Sequence, residues 1–194
     1  MAIAFFLVQL NVLLANADLE MVPPESDTES DTESDTYTSL PKVRLRPGVA
    51  ASKVVFGELG YAKAAKESWV VFQQLTAQGT IAPGTRFQVC LPTPVAVIGV
   101  FVAEHQDVLE RSYESRLLTE LNEVLDFIPK NKLAIQLDVS WEFAILEGVA
   151  PSWFGATYEE QLPRLAERLA RLGNTVPDDV EFGVHLCYGK SSFL

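Results

Sequence analysis

Cysteine and histidine are scarce in this chain of 194 residues, with only two of each. Two cysteines, Cys90 and Cys187, are too few for the disulfide framework of a small secreted domain. We therefore expect reduced thiols and a cytoplasmic protein. The chain also lacks a basic stripe, because its arginines between 164 and 171 alternate with glutamates, as on a solvated helix face. This pattern argues against a nucleic-acid partner.

Lysine and arginine are absent from residues 1–41, which hold eight acidic residues. The rest of the chain carries 15 basic and 18 acidic residues, so most of the net charge of −11 belongs to this N-terminal part. Within it, residues 26–36 repeat the tetrapeptide Ser-Asp-Thr-Glu. Such a segment has nothing to bury and repels itself, so we predict a disordered acidic linker over 20–41. It is either a solvated spacer or a segment that attracts a kinase or a basic partner.

Long apolar runs are also missing, apart from a short one over 2–15. This run is too short and, with Gln9 and Asn11, too polar to span a membrane. We interpret 1–19 as an apolar leader. The small residues Ala15 and Ala17 resemble a cleavage site, so secretion through a signal peptide is the alternative. No basic residue precedes the run, which argues against that alternative.

From residue 54 the chain alternates helical and strand periodicity three times. Helices are predicted around 61–75, 117–128 and 162–172, and strands over 86–92, 133–139 and 180–187. Strands separated by helices must run parallel, which gives an α/β fold. We predict that 42–194 forms one domain, either a small open sheet or part of a (β/α)8 barrel, with about three consecutive parallel α/β units. Open edges in such an incomplete barrel predict marginal stability or self-association.

Three motifs on these strands carry a family resemblance: R-F-Q-V-C-L-P-T-P (86–94), L-A-I-Q-L-D-V-S-W-E (133–142) and G-V-H-L-C-Y-G (183–189). In this order they resemble the catalytic barrel of cobalamin-independent methionine synthase, in the superfamily that also contains uroporphyrinogen decarboxylase. The resemblance covers residues 54–189 and favours a partial TIM barrel over the small open sheet.

The resemblance implies zinc bound by His185 and Cys187, together with a glutamate and a cysteine from later strands. It also implies that Asp138 holds the amino group of a thiol amino-acid substrate, with a folate-type compound as methyl donor. Residues 190–194 supply no later zinc ligand. The function that follows is a zinc-dependent S-methyltransferase with an incomplete site, weakly active or inactive. The alternatives are a non-catalytic homologue or fragment, and a metal-free decarboxylase-like barrel.

Each candidate residue also has a structural interpretation. His185 and Cys187 are either metal ligands or ordinary core residues, although residues i and i+2 of one strand do share a face. Asp138 is either a functional residue at the mouth of the strands or a helix cap. We expect Cys90 to be a core residue. Two glutamates, Glu142 and Glu147, are expected to be solvated, and His105 is expected at the surface near a helix start.

Overall fold

A computed structural model describes residues 2–22 and 41–186. The described residues form six α-helices: α1 Ala2–Leu14, α2 Tyr61–Ala77, α3 Pro94–Phe101, α4 Gln106–Phe127, α5 Trp141–Leu146 and α6 Tyr158–Gly173. They also form five strands: β1 Leu19–Met21, β2 Val43–Leu45, β3 Phe87–Pro92, β4 Leu133–Val139 and β5 Glu181–Leu186. The predicted linker falls mainly on 23–40, which lies outside the described residues, although its first residues belong to β1.

The three longer strands form a parallel sheet in the order β3-β4-β5. Each strand is followed by a helical segment that carries the chain back to the start of the next strand, so the three strands run in the same direction. The predicted strand over 133–139 coincides with β4, and the other two agree within one residue at each described end. In the register, Pro92 of β3 pairs with Asp138 of β4, and Asp138 pairs with His185 of β5.

Helices cover one face of this sheet. Along β4, Leu133, Ile135, Leu137 and Val139 are buried, whereas the alternate residues are only partly buried. The long helix α4 packs against both α2 and α3 and contributes a row of buried side chains to a single hydrophobic core. The core thus lies between the sheet and the helices, and the opposite face of the sheet carries the polar residues.

Side-chain oxygens accept hydrogen bonds from backbone amides at the start of two helices. The side chain of Thr93 accepts a hydrogen bond from the amide of Ala96 (3.1 Å), and Pro94 is the first residue of α3. These are common N-cap and N1 residues. At the start of α2, backbone amides donate to a carboxylate that is distant in sequence. Glu120 of α4 accepts hydrogen bonds from the amides of Leu59, Gly60 and Ala62. Glu120 is almost fully buried and pairs with Arg116, so this contact joins α2 to α4.

The N-terminal segment packs on the same core. Strand β1 pairs antiparallel with β2, and Val43 of β2 also forms a bridge to Val102 after α3. In α1, Leu10 and Leu13 are buried with the rest of the hydrophobic core. Gln9 is buried as well, and its side-chain oxygen accepts a hydrogen bond of 2.6 Å from the hydroxyl of Tyr61. The apolar leader is thus packed against the helices of the domain.

The prediction of a partial TIM barrel is wrong. The described residues form a three-stranded open parallel sheet and a separate two-stranded antiparallel sheet, and they form no barrel. Within the described part of the chain, β3 and β5 each pair only with β4, so the sheet does not curve round to close. The antiparallel pair was missed because each of its strands has only three residues, too few to show a strand period.

No helix in the described segments combines the length and the apolar character that crossing a membrane requires. The apolar helix α1 spans only 13 residues. About 20 apolar residues are needed to cross a bilayer. This finding agrees with the interpretation of the N-terminal run as too short for a membrane span.

Candidate functional site on the open sheet face

The polar residues of the three motifs lie on the face of the sheet opposite the helices. On β4 these are Gln136 and Asp138, which alternate with the buried apolar residues. On β3 the same face carries Gln88 and Cys90, because Cys90 pairs with Gln136 in the register. On β5 it carries His185, the register partner of Asp138. We refer to these five residues as the polar face.

Amide side chains connect most of the polar face. The Nε2 of Gln88 donates to Oε1 of Gln136 (2.9 Å), and Nε2 of Gln136 donates to Oδ1 of Asp138 (2.8 Å). Both amides also approach Sγ of Cys90, at 3.3 Å and 3.5 Å. This chain of hydrogen bonds orients the carboxylate of Asp138 at the carboxyl end of β4. The donors of all four hydrogen bonds are the neutral side-chain amides of Gln88 and Gln136.

Two of the three predicted site residues are therefore brought together. Asp138 and His185 lie on adjacent parallel strands, in register and on the same face, where neighbouring strands are about 4.8 Å apart. His185 is exposed and Asp138 is partly buried. Their register partner on β3 is Pro92, which has no side-chain donor or acceptor. The third predicted residue, Cys187, lies outside the described residues.

The described residues do not fit a catalytic zinc ion on their own. Such an ion is commonly held by three protein ligands plus an open position. Asp138 and His185 supply two donors at one level of the sheet. The thiol of Cys90, the cysteine within the described residues, lies two residues further toward the strand start. No group of three potential metal ligands occurs among the described residues. A complete centre would need at least one more ligand, for which Cys187 is the candidate that the sequence offers.

Cys90 corrects the expectation of a core thiol, since its side chain is exposed. The cause is the strand period, which directs Val89 and Leu91 toward the helices and therefore Cys90 away from them. The sequence signal for this exposure was Gln88, a polar residue two positions earlier and therefore on the same face of the strand.

Glu142 is the second correction, because it is buried rather than solvated. It lies in the first turn of α5, only 2% exposed, and accepts a hydrogen bond from the amide of Ser140 (3.2 Å) through Oε2. Its Oε1 finds no hydrogen-bond partner among the described residues. Burial raises the pKa of Glu142, whereas the nearby Thr93 hydroxyl and backbone amides lower it, and the charge of Glu110 raises it. The apolar residues around Glu142 in the sequence were the available signal of burial.

Glu110 on α4 is a further buried acid that the sequence did not identify. It is 3% exposed and is fully engaged: Arg168 of α6 donates to both of its oxygens (2.6 Å and 3.2 Å), and Trp153 Nε1 donates to Oε2 (2.7 Å). The guanidinium of Arg168 also lies 4.1 Å from the ring centroid of Phe154. Glu110 therefore joins α4, α6 and the segment before α6.

Two other candidate residues behave as expected at the surface. His105 is exposed and immediately precedes α4, with a positive φ of 58°. Glu147 is exposed after α5. Two surface clefts of about 340 and 380 Å³ lie elsewhere, the first beside the start of α2 and the second beside the start of α6. Neither cleft is lined by Asp138 or His185.

Comparison of the chain with family models, with curated proteins and with solved structures finds no match. These comparisons identify no family, and the resemblance to methionine synthase remains an expectation from the motifs.

Proposed function

We propose that this chain is a methionine-synthase-like protein whose methyl-transfer site is incomplete, so that it does not methylate thiols at a useful rate. The supporting observation is the polar face, which aligns Asp138 with His185 but offers no third ligand at their level. The assignment to S-methyl transfer, with a thiol amino acid and a folate-type donor, rests on the motif resemblance. The reduced state inferred for the cysteines favours the cytoplasm for this chemistry.

The expected lack of turnover has a chemical reason. A free thiol has a pKa of about 8.5 and is largely protonated at neutral pH, so it is a weak nucleophile unless its surroundings ionise it. The polar face presents amides, one carboxylate and one imidazole, and none of these is a fixed cation. Asp138 could still hold an ammonium group by a charge-assisted hydrogen bond. We therefore expect weak binding of an amino acid without efficient transfer.

The test is a methylation assay with the full chain, a thiol amino acid and a methylated folate, with and without added zinc. We expect no more product than in a protein-free control, and the same low value for His185→Gln. Asp138→Asn should weaken binding of the amino acid, measured by calorimetry, whereas the exposed Glu147→Gln serves as a matched control. Turnover above background that His185→Gln abolishes would overturn the proposal.

A further inference from the structure

Strand β5 exposes an apolar row on the side of the sheet that the helices cover elsewhere. Phe182, Val184 and Leu186 pair in register with Ile135, Leu137 and Val139 of β4, which are buried. The β5 residues themselves are 43%, 45% and 62% exposed. We call these three residues the β5 row. They combine an uncovered apolar surface with a strand edge that has no strand partner within the described residues.

The other edge of the sheet differs. At the start of β3, Phe87 packs against Trp69 and Phe72 of α2, with ring centroids 5.7 and 5.3 Å away. Val89 and Leu91 are buried, and the exposed residues of β3 are polar. An apolar row added beside β3 would therefore find no uncovered apolar surface to pack against. The surface that matches the β5 row is another β5 row.

We propose that two copies of this chain associate through β5, which pairs antiparallel with β5 of the second copy about a two-fold axis at Val184. Residues opposite each other in an antiparallel pair lie on the same face of the sheet. This register places Val184 opposite its own copy and Phe182 opposite Leu186 of the second copy. The two β5 rows join into one apolar surface, and the edges close into a six-stranded sheet.

The polar side of the same pairing brings a carboxylate near an imidazole, which can form a hydrogen bond. Gly183 lies opposite His185 of the second copy, and Glu181 lies diagonal to that histidine, within reach of a long side chain. Glu181 is 64% exposed, and its Oε1 lies 3.4 Å from Nε of Arg86. The two-fold axis repeats the Glu181–His185 contact, and each copy thus adds a carboxylate beside the polar face of the other.

The apolar surface continues from β5 onto α6. Phe182 lies beside Gly173, the last residue of α6, about 3.4 Å from the position of an added Cβ. By helical spacing, Leu162 and Leu169 share a side of α6 with Gly173. Leu162 is 42% exposed and Leu169 is partly buried. The row on β5 is therefore the end of a larger apolar strip, which two copies of α6 would cover together.

The first test measures the molar mass of the purified full chain by light scattering over a range of concentrations. We expect a dimer that dissociates on dilution. Val184→Lys places two ammonium groups opposite each other and should raise the dimer Kd by more than about tenfold. Val149→Lys, at a position 55% exposed in a turn, should leave the Kd unchanged. Circular dichroism checks that both variants remain folded.

The second test fixes the register and does not depend on the stability of the lysine variant. In a Cys90→Ser, Cys187→Ser background, Val184→Cys should form an intermolecular disulfide on mild oxidation, because the two cysteines face each other across the axis. Val149→Cys should not. A monomer at all concentrations, an unchanged Kd in Val184→Lys, no cross-link at residue 184, or growth into polymers instead of dimers would each overturn the proposal.

Discussion

At the scale of single residues, the position of a side chain in the fold decides whether it is buried more than its residue type does. Cys90 is exposed although cysteine is usually buried, because its parity on β3 faces away from the helices. Glu142 is buried although glutamate is usually exposed, because the short helix α5 that carries it packs against α3 and α6. The alternation of Gln88 and Cys90 with Val89 and Leu91 was readable in the sequence. For Glu142 only its apolar neighbours signalled burial, and the packing of α5 against α3 and α6 is visible only in the structure.

Glu142 should make stability depend on pH. Its raised pKa means that the folded state holds the proton more tightly than the unfolded chain does. The free energy of unfolding therefore falls as the pH rises from the ordinary carboxyl pKa of about 4.3 through the folded pKa. Glu142→Gln cannot ionise, so this loss disappears, and the variant should gain stability relative to the parent as the pH rises. Urea unfolding at several pH values measures it.

The exposed Glu147→Gln is the control for that experiment and should follow the parent at every pH. Parallel stability curves for Glu142→Gln and the parent between pH 4 and pH 8 would show that burial does not raise the pKa of Glu142. The acids whose pKa is lowered, Glu123 and Glu160, contribute in the opposite direction at lower pH and are unchanged in both variants.

Gly99 in α3 is required by close packing. A Cβ added there would lie 2.0 Å from Nε1 and 2.4 Å from Cδ1 of Trp141, so the indole or the helix would have to move. We expect Gly99→Ala to lower the free energy of unfolding by about 1–3 kcal/mol, the usual cost of overpacking. Gly57→Ala meets no atom within 4 Å and is the control. Equal unfolding midpoints for the two variants would disprove the contact.

At the scale of secondary structure, long periodic elements were predictable and short ones were not. The predicted helix around 61–75 and the predicted strand over 133–139 correspond to α2 and β4. In α2 the helical period continues over several turns, and in β4 the alternation continues over seven residues. The short helices α3 and α5 follow their strands directly, and both were missed. They are too brief to display a helical period, and their apolar sequences continue those of the strands. Their positions become clear only from packing.

The N-terminal helix offers a test of an element whose role the sequence left open. Leu13 of α1 has no exposed surface, so Leu13→Ala should cost about 2–5 kcal/mol of unfolding free energy. Val8, on the same helix, is 56% exposed, and Val8→Ala should have little effect. Thermal or urea unfolding of both variants measures the difference. If Leu13→Ala is as stable as the parent, α1 does not pack on the core as described.

At the scale of the whole molecule, the alternation of helices and strands predicted parallel pairing in either a small open sheet or part of a barrel, and the choice of the barrel came from the resemblance. Three strands in the order β3-β4-β5 form an open sheet whose β5 edge exposes apolar residues. For the candidate site, the resemblance implied His185 and Cys187 as metal ligands and Asp138 as the residue that holds the substrate, and the register places Asp138 beside His185. The sequence could not reveal how few ligands the register supplies.

The measurement that tests the incomplete site most directly is the zinc content of the full chain after loading and dialysis. Because the described residues of one chain place only Asp138 and His185 at one level, we predict well below one retained zinc per chain, measured at dilutions where the protein is a monomer. His185→Gln should change this value little. Retention of one zinc per chain that is lost in both His185→Gln and Cys187→Ser would contradict the account and show that the site is complete.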